Sequence, residues 1–180
     1  MSDSTDDDNS NSPKKHGYQD DALWNAIEST GALIIPDPVG EAKEGRPIGH
    51  STHNLFVKCK KTKKLFLITA RQESKVNLKV TSKALGVKEL RLASADLVLE
   101  KLHSQKGCIT CLSLFYDIDQ SVQWVVEKSL LKQQPEWCLC AGCHDPLNHK
   151  QHNVTTLTQA QLSSILALHW AQKVEIDIEE

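Results

Sequence analysis

Residues 54 to 60, NLFVKCK, set Leu55, Val57 and Cys59 against Phe56, Lys58 and Lys60. A period of two puts successive side chains on opposite faces of a strand. KLFLITA follows at 64 to 70 after a short basic turn. Together the two runs predict a β-hairpin, with no Asn-Gly or Asp-Gly to fix the turn type. Upstream, Leu23, Trp24 and Ile27 share one helical face. Asp20 or Asp21 can cap that helix and Gly31 stops it. ALIIP reads as a short buried strand, and Pro36 to Gly49, broken by three prolines and three glycines, as a loop.

Further along, Val76 to Leu85 has helical spacing and ends at Gly86, and ELRLA is a strand. Ser94 caps the helix ADLVLEKL, whose stripe is Leu97, Val98 and Leu102. GCITCLSLFYD and SVQWVVEKSLL predict a second hairpin around Asp117–Gln120. EWCLC is a strand entering a Cys/His-rich loop. Thr158 and Gln161 make a capping box for a last helix reaching about Gln172, and VEIDI is a terminal edge strand. No internal repeat is visible. Interleaved hairpins and helices predict a single α+β domain rather than a regular βαβ series.

Composition adds boundaries. The chain has 180 residues, 39% of them hydrophobic, enough for one domain with a core. Residues 1 to 19 are polar and rich in Ser and Asp, and are expected to be a disordered acidic tail, leaving 20 to 180 as the folded unit. No apolar run approaches the roughly 18 to 20 residues that cross a bilayer. The opening MSDSTDDDNSNSPKK lacks the basic and apolar regions of a secretion signal. A cytosolic location is therefore expected, with six cysteines present as reduced thiols or in a metal site.

The net charge of -2 conceals a segregation. From Phe56 to Arg91 eleven Lys/Arg stand against two Glu, while six Asp fall in the first 21 residues. Lys58, Lys60, Lys61, Lys63 and Lys64 cluster on the predicted hairpin turn. Such a patch neutralises phosphates; the plainer alternative is a solvated edge that discourages strand-to-strand association. Few aromatics interleave the lysines, so a nucleic-acid backbone or acceptor stem suits the patch better than a base-stacking platform.

Three features carry candidate chemistry. His53-Asn54 ends a polar loop entering a strand, where an imidazole can act as base or donor, although His50 is a rival and an ordinary surface histidine is the plain reading. Cys138, Cys140, Cys143 and His144 offer a ligand set for tetrahedral zinc, without the spacing of paired Cys-x-x-Cys knuckles. CAGCH also matches a c-type haem attachment pattern, whose compartment this chain is not expected to reach. Cys143 beside His144 raises nucleophilic catalysis, yet adjacent residues rarely share a hydrogen bond. Cys108 and Cys111, at odd separation on a predicted strand, read as packing residues.

The segments STHNLFVKCKKTKKLFLITA, LGVKELRLASADLVLEKL and GCITCLSLFYDIDQSVQWVVEKSLL, in that order, resemble the YbaK/ProX family of aminoacyl-tRNA deacylases. This is the editing domain associated with prolyl-tRNA synthetase. The branch most similar is the free-standing alanyl-tRNA(Pro) deacylases, and coverage runs from about Leu23 to Glu175. The resemblance implies an α+β fold with a mixed, barrel-like central sheet flanked by helices. It also implies hydrolysis of the ester between a wrong amino acid and the terminal adenosine of tRNA. The family pattern Thr-Lys-Asn-Leu-Phe meets Thr52, His53, Asn54, Leu55 and Phe56 here, so a histidine replaces the lysine that contacts the tRNA end. The family's His-Pro-Leu-x-Asn segment meets His144, Asp145, Pro146, Leu147 and Asn148, with an extra Asp and with Asn153 as rival asparagine.

The expectation is a trans-editing hydrolase for mischarged tRNA, with alanine on tRNA(Pro) as substrate and water as nucleophile. His53 and Asn54 are the expected catalytic contacts, Thr52, His144 and Asn148 the substrate-binding residues, and the five lysines the tRNA contacts. No cofactor is expected, zinc being the alternative. Prolyl-tRNA synthetase or a multi-synthetase complex is the implied partner. The rival is a catalytically silent tRNA-binding or scaffold subunit, a reading that the loss of the lysine favours.

Overall fold

The computed structural model describes residues 21–38, 50–133, 135–143 and 151–178. The expected acidic tail, His144 and Asn148 lie outside them. Helix α1 (Asp21–Glu28) buries Leu23, Trp24 and Ile27 as its spacing requires. It ends where Ser29 and Thr30 hydroxyls return to the Ala26 and Ile27 carbonyls and Gly31 takes a φ of 80°. The Trp24 indole donates to the Ala141 carbonyl at 2.9 Å, tying this helix to a strand 117 residues away.

The chain continues through β1 (Ile34–Pro38), β2 (His50–Cys59), β3 (Leu65–Arg71), α2 (Leu78–Ala84), β4 (Leu90–Leu92) and α3 (Ala95–Leu102). Then follow a 3-10 helix (Cys111–Tyr116), β5 (Val122–Glu127), α4 (Lys128–Gln133), β6 (Glu136–Cys143) and β7 (Gln151–Thr158). The helices α5 (Gln159–Ile165) and α6 (Ala167–Gln172) and the strand β8 (Val174–Ile176) complete it. Caps explain the helix starts: Asn77 accepts from the Lys79 and Val80 amides, Ser94 from Leu97, and Thr158 closes a reciprocal box with Gln161.

Among the described residues eight strands form one mixed sheet in the order β1-β7-β6-β2-β3-β5-β8, with β4 paired to β2. Among the described residues no ladder joins β1 to β8, so the sheet is open rather than a closed barrel. The β2–β3 hairpin is antiparallel as predicted. β3 pairs β5, and β5 pairs β8, in parallel.

Alternation on these strands makes two cores. Phe56, Leu65, Leu67, Val122, Trp124 and Val126 belong to the larger one, with α1, α3, α5 and the β6 residues Trp137, Leu139 and Ala141. Val57, Cys59, Phe66, Ile68, Ala70 and Val125 form the second, against Val76, Leu78, Leu85 and Val87 from α2 and its flanks.

Four expectations are corrected. Residues 111–116 are a 3-10 helix and not a hairpin strand, because Cys111, Leu112, Ser113 and Leu114 are all buried and Thr110 and Ser113 cap each other. His53 lies within β2, three residues past its start, and not on a loop. QHNVTTLT is the strand β7, whose first three residues the sequence placed in the Cys/His-rich loop. Cys108 is in a disulfide rather than a packing thiol; connectivity is not readable from spacing. Cys59, Cys111, Cys138 and Cys140 are thiols.

Candidate active site

Strand β2 changes partners at the motif. His50 and Ser51 pair in parallel with Trp137 and Cys138 of β6, and from Thr52 onward the strand pairs antiparallel with β3. The register sets Thr52 opposite Arg71, His53 opposite Ala70 and Asn54 opposite Thr69. Alternation then divides the motif. Thr52 and Asn54 share the face of Phe56 and the larger core, whereas His53 shares the face of Leu55, Val57 and the second core. The two residues expected to act together thus face opposite sides of the sheet. All three are half-buried.

Asn54 is held on both ends of its amide. Its Oδ1 accepts from the Thr69 hydroxyl at 2.9 Å, and its Nδ2 donates to Thr52 Oγ1 at 2.9 Å. Thr69 in turn accepts from Trp124 Nε1 at 3.0 Å. Trp124 is packed edge-on against Trp137, their ring centroids 6.3 Å apart. Sequence reasoning missed Thr69 and Trp124, since only the β2–β3–β5 register brings them to Asn54. On the same interior wall, Leu139 lies opposite Thr155, whose buried Oγ1 has no hydrogen-bond partner among the described residues. Asn153, the rival asparagine, is buried in β7.

A third missed residue braces this end of the sheet. Glu127, at the close of β5, accepts from the Arg71 backbone N–H at 2.8 Å, Arg71 Nε at 3.2 Å, Ser74 Oγ at 2.8 Å and the Ser129 hydroxyl. Burial pushes its pKa up, but those donors outweigh burial and hold the carboxylate below its ordinary value.

The lysines sit at the other end of the hairpin. Asn54 and Lys60 are six residues apart, about 20 Å at the strand rise. Lys60, Lys61, Lys63 and Lys64 are exposed around a turn closed by Cys59–Lys64 and Lys63–Cys59 backbone bonds, with Lys63 at φ 61°. Lys58 lies directly opposite Arg91 of β4. Glu89 reaches Lys60 at 3.1 Å, and that hydrogen bond and charge hold the Glu89 carboxyl below its usual range. Buried Cys59 donates to the Lys88 carbonyl, and the Thr62 hydroxyl draws its pKa down to about 7. A cavity of about 210 Å³ opens at this end, lined by Lys64, Ser121, Gln123, Trp124, His169 and Gln172. Its polar floor is structural: Asp117 accepts from Ser121 N, Ser121 Oγ and Val122 N, and His169 Nε2 lies 3.3 Å from the Asp117 carbonyl.

For zinc, Cys138 and Cys140 fall on the β6 face opposite Trp137 and Leu139. Cys143 closes β6 in register with His152, and among the described residues no three His, Cys, Asp or Glu side chains converge. Among them, too, no helix is long and apolar enough to cross a membrane.

The open α+β sheet thus carries a neutral, inward-facing hydrogen-bonded cluster at one end of the β2–β3 hairpin and exposed cations at the other. The chain belongs to the aminoacyl-tRNA editing domain family, which matches residues 40–157. It is 43% identical over 82 residues to prolyl-tRNA synthetase associated domain-containing protein 1 of Danio rerio, covering 46% of this chain and 44% of that protein. The Mus musculus protein of the same name is 41% identical over 86 residues, covering 47% and 50%. Prolyl-tRNA editing protein ProX of Acetoanaerobium sticklandii is 28% identical over 104 residues, covering 55% and 63%. The chain spans about half the length of the first two relatives. A solved structure provisionally described as a trans-editing enzyme for prolyl tRNA synthetase superposes with a TM-score of 0.59 at 18% identity, covering 88% of this chain and 94% of that one. That likeness establishes the fold; an epitope-grafting scaffold matches with a TM-score of 0.61, so fold alone carries no activity.

Proposed function

We propose that this chain is a trans-acting aminoacyl-tRNA deacylase that removes a small wrong amino acid, alanine, from tRNA(Pro). Water adds to the ester carbonyl carbon, the bond to the terminal ribose oxygen breaks, and that oxygen takes up a proton, releasing the amino acid and intact tRNA. Small apolar side chains are the ones a synthetase pocket rejects poorly, which gives hydrolytic editing its purpose. The observation that carries the reading is Asn54, locked between Thr69 and Thr52 inside the family-matched segment.

The split of the motif across the sheet gives its residues separate tasks. Asn54 and Thr52 face the interior and would receive the aminoacyl group. His53 faces the side covered by α2, whose Lys79 and Lys83 are exposed. The helix begins near the His53 end, after Arg71, and leads to β4 at the lysine end. A tRNA lying along this side would meet His53 near its 3′ end and Lys60, Lys61, Lys63 and Lys64 about 20 Å away, some six nucleotide steps at about 3.4 Å each. In this reading prolyl-tRNA synthetase is the source of the mischarged tRNA.

The silent tRNA-binding reading rests on His53, which replaces a permanent cation with a shorter ring. Incubation with Ala-tRNA(Pro) separates the two: the deacylase reading expects ester loss above the buffer rate, and its absence at micromolar protein favours the silent subunit. His53→Lys is expected to raise the rate by tightening the grip on the tRNA end.

A further inference from the structure

The indole of Trp124 decides which way the Asn54 amide points. An indole N–H only donates, so Thr69 Oγ1, 3.0 Å from Trp124 Nε1, accepts there. Thr69 has no exposed surface, and its own proton needs a partner inside the core. Asn54 Oδ1, at 2.9 Å, is that partner. With the amide reversed, the proton would meet an NH2 group and stay unsatisfied. The Asn54 Nδ2 therefore points to Thr52 Oγ1 at 2.9 Å. Thr52 accepts in that bond and keeps its proton for an outside acceptor. Among the described residues the other Nδ2 proton finds only the Thr52 carbonyl at 3.5 Å, at the limit of a hydrogen bond.

We propose that Trp124 and Thr69 are positioning residues that fix a one-way hydrogen-bond chain, and that its outer end, Asn54 Nδ2–H with Thr52 Oγ–H, is the donor pair for the carbonyl oxygen of the ester. The proposal deepens the deacylase reading and rests on it. As water adds, that oxygen gains negative charge, and donors already aimed at it stabilise the transition state without reorganising. The buried end of the chain is neutral and closed on both sides, so the outer donors are oriented before substrate arrives.

Three variants test the chain by single-turnover deacylation of Ala-tRNA(Pro) and by the side-chain amide resonances of Asn54. Thr69→Val keeps the shape and removes the hydroxyl. It is expected to lower kcat about ten- to hundredfold, the range seen when a supporting hydrogen-bond partner is lost. KM is expected to change little, the signature of an interaction realised in the transition state. The Asn54 amide resonances are expected to move. Thr69→Ser restores both readouts, and Trp124→Phe moves the resonances with a smaller fall in kcat. Unmoved Asn54 resonances in Thr69→Val overturn the proposal, as does a Thr69→Ser variant as impaired as Thr69→Val. If the unaltered protein hydrolyses no ester, the deacylase reading has failed, and the resonances of the Val and Ser variants still decide whether the chain exists.

Discussion

At its Thr52–Asn54 end, β2 turns uncharged side chains inward and fastens Asn54 through Thr69 and Trp124 to the core. At its Lys58–Lys64 end, the same hairpin turns cations outward on a turn held mainly by backbone bonds, with Glu89 engaging Lys60. The first end has geometry and no net charge; the second has charge and little side-chain geometry. Ester chemistry needs donors placed to a fraction of an ångström, whereas a phosphate backbone is attracted by whatever cations are near it. In the proposed reading one strand supplies precision and attraction at two places, separated far enough that a change at one need not disturb the other.

Asn54→Ala should break the comparison most severely. It removes the amide proposed to face substrate and leaves the Thr69 hydroxyl, which has no exposed surface, without its acceptor. Loss of a donor of this kind costs about a hundredfold or more in kcat. The orphaned hydroxyl costs about 1–3 kcal/mol of stability. Single-turnover deacylation and a urea titration measure the two, with tRNA affinity expected to hold.

The lysine end predicts the reverse. Replacing Lys61, Lys63 and Lys64 with Ala leaves kcat intact and weakens tRNA binding roughly tenfold or more at about 0.1 M salt. The slope of log affinity against log salt flattens by about two to three units if each lysine meets one phosphate. Lys60 is left out because Glu89 already engages it. An unchanged salt slope would show these lysines to be a solvated edge.

Glu127 brings pH into the comparison at the Thr52 end. Its folded pKa lies below the ordinary 4.5. The stability it contributes is full above that value and is lost as pH falls through the folded pKa. Thermal unfolding should therefore show a loss of stability on acidification. In Glu127→Gln that loss is shallower, and stability near pH 7 starts about 1–3 kcal/mol lower because the bonds to Arg71 and Ser74 weaken.

How much of this was legible depended on whether one stretch of chain carried the signal. The β2–β3 hairpin, α1, α3 and the Thr158 cap each announce themselves locally by alternation, helical spacing or a capping residue. The 3-10 helix did not, because four consecutive buried residues read as a strand with two covered faces. β7 was hidden by a polar start, QHN, behind a Cys/His run. β5 was read as the second arm of a hairpin with residues 107–117 because sequence neighbours usually pair; it pairs β3 in parallel instead, and α2, β4 and α3 intervene between the two to make the crossover. The site divides the same way. Carrying the alternation of Leu55, Val57 and Cys59 back two residues already sets His53 and Asn54 on opposite faces. Thr69 and Trp124 had no such signal, since their link to Asn54 exists only through the register of three strands.

The smallest expected effect is the most discriminating about what the lysine end is for. Lys58 stands directly across from Arg91, and like charges opposite each other on adjacent strands are destabilising. Folding alone gives no reason to keep that pair, which lies on the Phe56 face, whereas a phosphate rounding the turn from the α2 side would. Lys58→Thr keeps a strand-forming residue while removing the repulsion. It should stabilise the free protein by about 0.2–1 kcal/mol. The same change should weaken tRNA binding several-fold and flatten the salt dependence by about one unit. Denaturant midpoints and tRNA titrations on one preparation give both numbers. Opposite signs would mean that this hairpin end gives up stability for an anionic partner. A variant gaining stability with no loss of affinity would place the phosphate contacts elsewhere on the turn.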